Sequence, residues 1–142
     1  MKKLSSIKLK HVSSSDYRFL YVLLKKRDPR ANISHRKMPT YKQHRNFVKS
    51  KPYAKWYIIQ YGNSKVGSIY LSKSDEIGIF LKKEMQGKHV GTIALNLLIA
   101  KNPRRRYLAN VNPKNSKSIK FFKRNNFKLI SYTYEFETDY KN

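Results

Sequence analysis

Hydrophobic positions in this chain recur with two periods, and those periods predict its strands and helices. Residues 6–12, "SIKLKHV", alternate between apolar and polar side chains and predict a first strand. Residues 13–28 then predict a helix, which Ser14 or Ser15 caps and Pro29 ends. The apolar stripe of that helix consists of Phe19, Leu20, Leu23 and Leu24.

The middle of the chain predicts a loop, a short helix and a run of strands. Residues 28–39 are polar and predict the loop, and residues 40–51 predict a helix capped by Thr40. Short, turn-forming stretches separate the three strands that follow, which favours an antiparallel meander. These predicted strands are residues 54–61, 65–72 and 76–83.

The remaining residues predict two more helices and two more strands. A third helix begins near Val90 and closes at Pro103, and a fourth covers residues 112–126. The predicted strands are residues 105–111 and 127–138. The resulting order, β-α-α-β-β-β-α-β-α-β, predicts a single α+β domain over residues 1–142, with a mixed, mostly antiparallel twisted sheet flanked by helices.

Composition narrows the class of protein. The chain has no cysteine, and its four histidines show no metal-ligand spacing, so we expect no metal site. There is no apolar run long enough to span a membrane and no signal-peptide pattern, so a cytoplasmic location is expected. The formal net charge of +24 is spread over both halves of the chain. It favours phosphorylated ligands or nucleic acid, and it equally fits a lysine-rich solvated surface.

Two of the five glycines lie at the start of the third helix, in "QGKHVG". Gly87 and Gly91 have no Cβ to obstruct a bulky group, and residues 87–92 supply the unpaired N–H groups of a first helical turn. Such a turn favours anions, and Lys88 adds a cation, so a pyrophosphate fits here. An ordinary loop-to-helix turn also explains the glycines, and the spacing matches neither a P-loop nor a dinucleotide fingerprint.

This turn and the elements around it resemble the Gcn5-related N-acetyltransferase (GNAT) family over roughly residues 5 to 136. Its turn pattern, Q/R-x-x-G-x-G/A, is matched at Gln86 and Gly91, with His89 where glycine is usual. A second family pattern is matched at Asn115, Ser118, Phe122 and Phe127, with Asn126 in place of glycine. Asparagine suits a left-handed helix end, so that exchange is mild.

The resemblance implies a cofactor, acetyl-coenzyme A, and a set of residues that bind it. The turn would hold the pyrophosphate, the fourth strand would hydrogen-bond the pantetheine arm, and an N–H of Ile79 or Phe80 would face the thioester carbonyl. Asn115 would bind the pantetheine arm, and Phe122 would pack on it or join the core. The implied cofactor residues are Ile79, Phe80, Leu81, Gln86, Gly87, Lys88, His89, Val90, Gly91, Thr92, Asn115 and Phe122.

Glu76 is the candidate general base, because relatives often place a carboxylate at the start of the fourth strand. Strand alternation puts its side chain on one face with Gly78 and Phe80. His35 and His44 are rival candidates for the base, because imidazole titrates near neutral pH. Alternatively, Glu76 is a turn residue that pairs with a surface lysine and has no catalytic role. Relatives carry a general-acid tyrosine where this chain has Phe122, so either a nearby tyrosine such as Tyr132 or water would take that role.

The implied reaction is acetyl transfer to the primary amine of a small molecule, with an amino sugar on a nucleotide as one candidate. Its pocket would be lined by Asn32, His35, Met38, His44 and Trp56, of which Met38 and Trp56 equally suit a core. A peptide or protein N-terminus is the alternative acceptor. A basic nucleic-acid-binding module and a non-catalytic relative are the remaining alternatives, with no specific nucleic acid expected. The chain is expected to be a monomer or a homodimer.

Overall fold

A computed structural model describes residues 6–27 and 37–141 of the chain. The strands are β1 (Ile7–His11), β2 (Lys55–Tyr61), β3 (Ser64–Leu71) and β4 (Ile77–Leu81). The helices are α1 (Tyr17–Lys25), α2 (Tyr41–Lys49), α3 (Val90–Lys101) and α4 (Ser116–Arg124). Short 3-10 turns precede α1 at Ser14–Asp16 and follow β4 at Lys83–Met85.

The four strands form one antiparallel sheet in the order β1-β2-β3-β4, which confirms the predicted meander and α+β class. Alternating side chains give the sheet two apolar faces. Residues such as Ile59, Ile69 and Ile77 form the larger core with α3. On the opposite face, Ile58 packs with α1 and α2.

The start of α1 is built around a buried carboxylate. The N–H of Ser13 donates to the Asp16 carboxylate at 2.8 Å, and Ser13 caps the 3-10 turn at Ser14–Asp16 that leads into α1, so neither Ser14 nor Ser15 is the cap as predicted. Lys65 pairs with the same carboxylate at 2.6 Å. Burial raises the pKa of Asp16, but the contacts from Lys65 and Ser13 outweigh it and the net pKa is lowered. The charge therefore stays on a side chain that has no solvent exposure.

Two side chains confirm what the sequence predicts for helix ends. The Thr40 hydroxyl accepts the Gln43 N–H at 3.1 Å, so Thr40 caps α2. Asn126, just after α4, has a φ of 71°, the left-handed conformation expected at the position where relatives carry glycine.

The last two predicted strands are wrong for the described chain. Residues 105–111 meet the sheet only at Leu108, which forms a single parallel bridge with Glu76. Residues 127–138 form no strand, and their side chains beyond Phe127 are exposed. The alternating pattern is present, but a strand also needs a neighbour for its main-chain hydrogen bonds, and alternation does not supply one.

Candidate functional site

The turn between β4 and α3 adopts an uncommon backbone conformation. Gly87 has a φ of 76° and open space where a side chain would begin. His89 immediately precedes α3 with a φ of 66°, a left-handed conformation that costs a residue with a Cβ about 1–2 kcal/mol. This backbone conformation explains why relatives carry glycine at position 89. The imidazole of His89 is tolerated there because it is exposed and the turn is formed by the main chain.

The first turn of α3 leaves main-chain donors unpaired. No side chain caps this helix among the described residues, and its first main-chain hydrogen bond runs from Ile93 N–H to His89 C=O. The N–H groups of Val90, Gly91 and Thr92 therefore have no acceptor within the helix. Donors and helix dipole together favour an anion at this position.

Gly91 also has a packing role that the sequence analysis did not predict. It is buried, and a Cβ there would lie 2.9 Å from Cε1 of Phe121 on α4. The missing side chain lets α3 and α4 pack closely beside the turn. Gly91 thus serves helix packing, whereas Gly87 supplies the positive φ.

Cations surround the turn. An open cleft of about 550 Å³ lies beside it, lined in part by Lys65, Lys82, Lys88 and Glu84. Lys82 and Lys88 are exposed, while Lys65 is engaged with Asp16. The local field therefore also favours a negatively charged ligand.

The sheet opens beside β4. Ile77 N–H donates to Leu108 C=O at 2.7 Å, and Leu108 N–H donates to Asp75 C=O at 2.8 Å. Beyond that point, no backbone hydrogen bond joins residues 78–81 to residues 109–111 in the described part of the chain. Beyond Ile77, this side of β4 therefore has no main-chain partner among the described residues, and we call this unpaired edge the gap.

Strand alternation decides which β4 amides face this gap. Phe80 pairs with Ser68 of β3, and Lys82 N–H donates to Val66 C=O. The N–H and C=O groups of the even-numbered residues in β4 therefore point toward β3. Ile77 N–H points the opposite way, to Leu108, and Ile79 and Leu81 share its direction. The open N–H is therefore that of Ile79, and the alternative of Phe80 is wrong for this geometry.

Glu76 lies where β4 and residues 105–111 still touch. Its carboxylate accepts hydrogen bonds from the Asn110 amide and from the Ser72 hydroxyl, the latter at 3.4 Å. The Ser72 Oγ also accepts the Glu76 N–H at 3.0 Å. The half-buried carboxylate is thus held in place at the mouth of the gap.

Aromatic rings cover the sheet face that carries Glu76. Tyr53 and Tyr70 stack with ring centroids 3.8 Å apart, and the Tyr70 ring lies over Gly78, where a Cβ would overlap it. Trp56 stands edge-on to Tyr53 at 4.8 Å. The guanidinium of Arg27 lies 4.8 Å from the Phe80 ring centre. Burial raises the pKa of both tyrosine hydroxyls, so both stay protonated at neutral pH.

Of the residues predicted to bind the acceptor, the structure describes Met38, His44 and Trp56. Trp56 joins the aromatic rings beside β4, but its indole nitrogen is buried without a partner among the described residues. His44 is buried between Tyr21 and Phe47, which suits packing better than a pocket wall or a base. Met38 is exposed. Asn32 and His35 lie outside the described residues.

Three predicted cofactor residues have structural partners of their own. The Asn115 side chain caps α4 by accepting the Ser118 N–H at 3.2 Å. The Thr92 hydroxyl accepts a hydrogen bond from Asn125 at 3.3 Å, which ties α3 to α4. Phe122 is buried against Phe127, with ring centres 5.1 Å apart, so of its two predicted places it takes the one in the core.

Asn110 and Tyr70 were missed by the sequence analysis. Asn110 lies in the predicted strand of residues 105–111, which a right-handed crossover through α3 makes parallel to β4, so its proximity to Glu76 could have been expected from the topology. Tyr70 faces Gly78 across β3 and β4, a pairing that a register of two adjacent strands gives. No sequence signal marked Arg27 or the Tyr53–Tyr70 stack.

Metal and membrane features are not found in the described ranges, residues 6–27 and 37–141. No group of three or more His, Asp or Glu side chains there could hold a metal ion. No helix there is long and apolar enough to cross a bilayer.

Several solved structures of other proteins have the same fold as this chain. An acetyltransferase from Thermus thermophilus aligns with a TM-score of 0.75 at 18% identity, covering 92% of this chain and 91% of that one. RimL, a ribosomal alpha-N-protein acetyltransferase in complex with coenzyme A, aligns at 0.71 with 18% identity over 89% of this chain and 82% of its own. A domain from Methanocaldococcus jannaschii aligns at 0.71 with 22% identity over 90% of each chain.

Sequence comparison assigns the family. No curated protein sequence matches the chain. The model of the acetyltransferase (GNAT) family matches residues 18–127, most of the chain, and includes the β4 edge, the α3 turn and α4. The chain therefore belongs to the GNAT family of acyl-coenzyme A-dependent acetyltransferases, as the sequence patterns indicated.

Proposed function

We propose that this chain transfers an acetyl group from acetyl-coenzyme A to the primary amine of a small molecule. The observation that carries the proposal is the uncapped start of α3 beside the open edge of β4, into which the Ile79 N–H points. The GNAT family uses acetyl-coenzyme A, and the residues present fit it. The cofactor supplies the acetyl group as a thioester.

The turn would hold the pyrophosphate of the cofactor. Gly87 leaves open space beside the backbone, and the amides of residues 87–92 and the Lys88 ammonium offer donors and positive charge. The pantetheine arm would lie along β4, with the main chain of Ile79 and Leu81 as its partners. The side-chain oxygen of Asn115 caps α4, and its amide nitrogen would donate a hydrogen bond to the pantetheine arm.

The main chain of β4 would stabilise the charge that develops during transfer. When an amine attacks a thioester, negative charge builds on the carbonyl oxygen, and an N–H aimed at that oxygen lowers the barrier. Ile79 N–H is the donor in position. A fixed backbone donor needs no reorganisation, so the sheet itself provides the oxyanion site.

Glu76 would take the proton from the amine. The amine attacks only when neutral, and the carboxylate can accept its proton directly or through one water molecule. Asn110 and Ser72 fix the carboxylate at the mouth of the gap, which makes them positioning residues. No side-chain acid is needed at Phe122, because a thiol with a pKa near ~8.5 is a tolerable leaving group as thiolate.

The acceptor would bind against the aromatic face beside Glu76. Tyr53, Tyr70 and Trp56 offer ring surfaces, and Arg27 adds positive charge next to Phe80. This surface suits a small amine that carries a ring and an anionic group, such as an amino sugar on a nucleotide. A peptide N-terminus is the second candidate, because RimL, a protein acetyltransferase, has the same fold.

The test is an amine screen with acetyl-coenzyme A that reads the release of free thiol. Small amines and nucleotide amino sugars form one panel, and short peptides with free N-termini form the other. The proposal expects turnover in the first panel. Turnover confined to peptides would shift the acceptor to the protein class, and no turnover in either panel despite cofactor binding would indicate a non-catalytic relative.

A further inference from the structure

The turn between β3 and β4, residues 72–75, holds Glu76 from one side. The Ser72 Oγ accepts the Glu76 N–H at 3.0 Å and donates to the Glu76 carboxylate at 3.4 Å. The main chain closes the same turn, because Ser72 N–H donates to Glu76 C=O at 2.8 Å and Asp75 N–H donates to Ser72 C=O at 3.2 Å. The position of Glu76 therefore follows the position of this β3–β4 turn.

Residues 105–111 hold Glu76 from the other side. The Asn110 side-chain amide donates to the Glu76 carboxylate. Nearby, Leu108 N–H donates to Asp75 C=O at 2.8 Å, which attaches the segment to the β3–β4 turn. The carboxylate can keep both of its side-chain partners only while the turn and the segment stay in one relative position.

Arg104, which directly precedes residues 105–111, ties that segment to the β3–β4 turn. Its Nη1 donates to the Asp75 carboxylate at 2.7 Å and to Ser72 C=O at 3.1 Å, so one nitrogen reaches both ends of the turn. The main chain of Arg104 is itself anchored. Its N–H donates to the Tyr107 hydroxyl at 2.9 Å, and that hydroxyl donates to Asn102 C=O at 2.6 Å. The guanidinium is therefore a brace between the end of α3 and the turn.

The effect of this brace should be local. The side chains of Arg104 and Asp75 are 27% and 35% exposed, and an ion pair with that exposure contributes little to the stability of a fold. Asp75 has a φ of 68°, a left-handed conformation that is uncommon for a residue with a Cβ. The ion pair holds this residue, and with it the turn, in the conformation that presents Glu76.

We propose that Arg104 is a positioning residue for the Glu76 carboxylate. The serine and the asparagine that bind this carboxylate lie in the two units that the guanidinium joins, the β3–β4 turn and residues 105–111. Without it, the hydrogen bond from Leu108 N–H would be the one left between those two units in the described part of the chain. The effect on turnover rests on the proposed function, in which Glu76 takes the proton from the amine.

A displaced carboxylate would slow that proton transfer. A general base must lie within hydrogen-bond reach of the group that it deprotonates, and a displacement of about 1 Å can cost about 100-fold in rate. Cofactor binding should be insensitive to the same change, because Glu76 lies at the start of β4 and the turn before α3 follows its end.

The first experiment is amide NMR and needs no acceptor amine. In an otherwise wild-type chain, Glu76→Gln should shift the side-chain amide signals of Asn110, because their acceptor changes from a charged to a neutral group. Arg104→Met keeps a long side chain without its donors, and in that background Glu76→Gln should lose most of this effect on Asn110. Arg105→Met, at an exposed neighbouring arginine, is the matched control and should retain the full shift.

The second experiment measures kcat with the amine that is turned over fastest in the screen. Arg104→Met should lower kcat at least about ten-fold, while the stabilisation by acetyl-coenzyme A in thermal unfolding stays unchanged. Adding Arg104→Met to Glu76→Gln should lower kcat no further, because Arg104 acts through that carboxylate. Arg105→Met should have the wild-type kcat. A general structural defect would instead reduce kcat in both backgrounds.

Three results would overturn the proposal. An Asn110 shift that is as large with Arg104→Met as without it would mean that the carboxylate keeps its place unaided. The absence of any Asn110 shift on Glu76→Gln would mean that the two side chains are not bonded. A further loss of kcat in the double variant would mean that Arg104 acts elsewhere. If no amine is turned over, the acetyltransferase proposal fails, and the NMR result alone decides whether Arg104 positions Glu76.

Discussion

At the scale of single residues, the candidate site depends on side chains whose neighbours fix them. Glu76 carries two side-chain hydrogen bonds, from Asn110 and Ser72, at the point where the sheet begins to open. Its identity as a candidate could be predicted, because it is an acid at the start of the fourth predicted strand. Its partners could not, because they come from segments 4 and 34 residues away in sequence.

Replacing Glu76 tests its role as general base. Glu76→Gln keeps the shape and one of the two acceptor oxygens but cannot accept a proton, so kcat should fall by about 100-fold or more. The stabilisation that acetyl-coenzyme A gives in thermal unfolding should be unchanged, because the cofactor is bound by the turn. Glu135→Gln, at an exposed carboxylate, is the matched control and should leave kcat unchanged. Equal rates for wild type and Glu76→Gln across pH would remove Glu76 from the mechanism.

Burial of His44 predicts how the stability of the fold depends on pH. Burial lowers its pKa below the ordinary value of 6.5, so the unfolded chain takes up a proton before the folded chain does. The stability that this neutral ring confers is complete above about pH 6.5 and is lost as pH falls toward the lowered value.

Unfolding midpoints in urea between pH 7.5 and 5 measure this effect. His44→Phe keeps an aromatic ring without a titrating nitrogen and should flatten the decline below pH 6.5. His11→Phe, at an exposed histidine, should leave the decline as in the wild type. An identical slope in His44→Phe and wild type would show that His44 does not cause it.

At the scale of elements, the sequence predicts helices and strands correctly wherever interactions between residues close in sequence determine them. Thr40 begins α2 because its hydroxyl satisfies the Gln43 N–H, and the three central strands pair through short turns. The third helix starts at Val90, as its apolar period indicates. Residues 105–111 and 127–138 have equally clear strand patterns, but their outcome depends on neighbours, which a pattern cannot specify.

The close packing of α3 on α4 depends on Gly91. A side chain there meets the Phe121 ring, and Gly91→Val should lower the free energy of unfolding by about 1–3 kcal/mol through overpacking. Asn96→Val, on the exposed side of the same helix, controls for the β-branched residue and should change stability by less than about 0.5 kcal/mol. Chemical denaturation measures both, and equal effects of the two variants would contradict the packing role of Gly91.

At the scale of the whole molecule, the dominant property is a formal net charge of +24, to which both halves of the sequence contribute. The described residues have an apolar core on both faces of the sheet, and Tyr57 and Tyr61 of β2 pack in the larger of the two. A positive charge that is spread along the sequence favours anionic ligands in general.

Binding to nucleic acid should therefore be weak and electrostatic. We expect the affinity for single-stranded RNA or DNA to fall at least about ten-fold between 50 and 200 mM salt, with no preference among sequences, because released counterions supply the driving force. Fluorescence anisotropy with oligonucleotides of several sequences measures it. Tight, sequence-dependent binding at 200 mM salt would instead favour a nucleic-acid-binding role.

The central claim is that the bare amides at the start of α3 bind the pyrophosphate of acetyl-coenzyme A, and amide NMR tests it most directly. A titration of the ¹⁵N-labelled protein with acetyl-coenzyme A at physiological salt should shift the amides of residues 87–92 and of Ile79, and acetyl-pantetheine, which lacks the pyrophosphate, should spare residues 87–92. Shifts confined to surface lysine neighbourhoods, with the amides of residues 87–92 unmoved at saturating cofactor, would contradict the account.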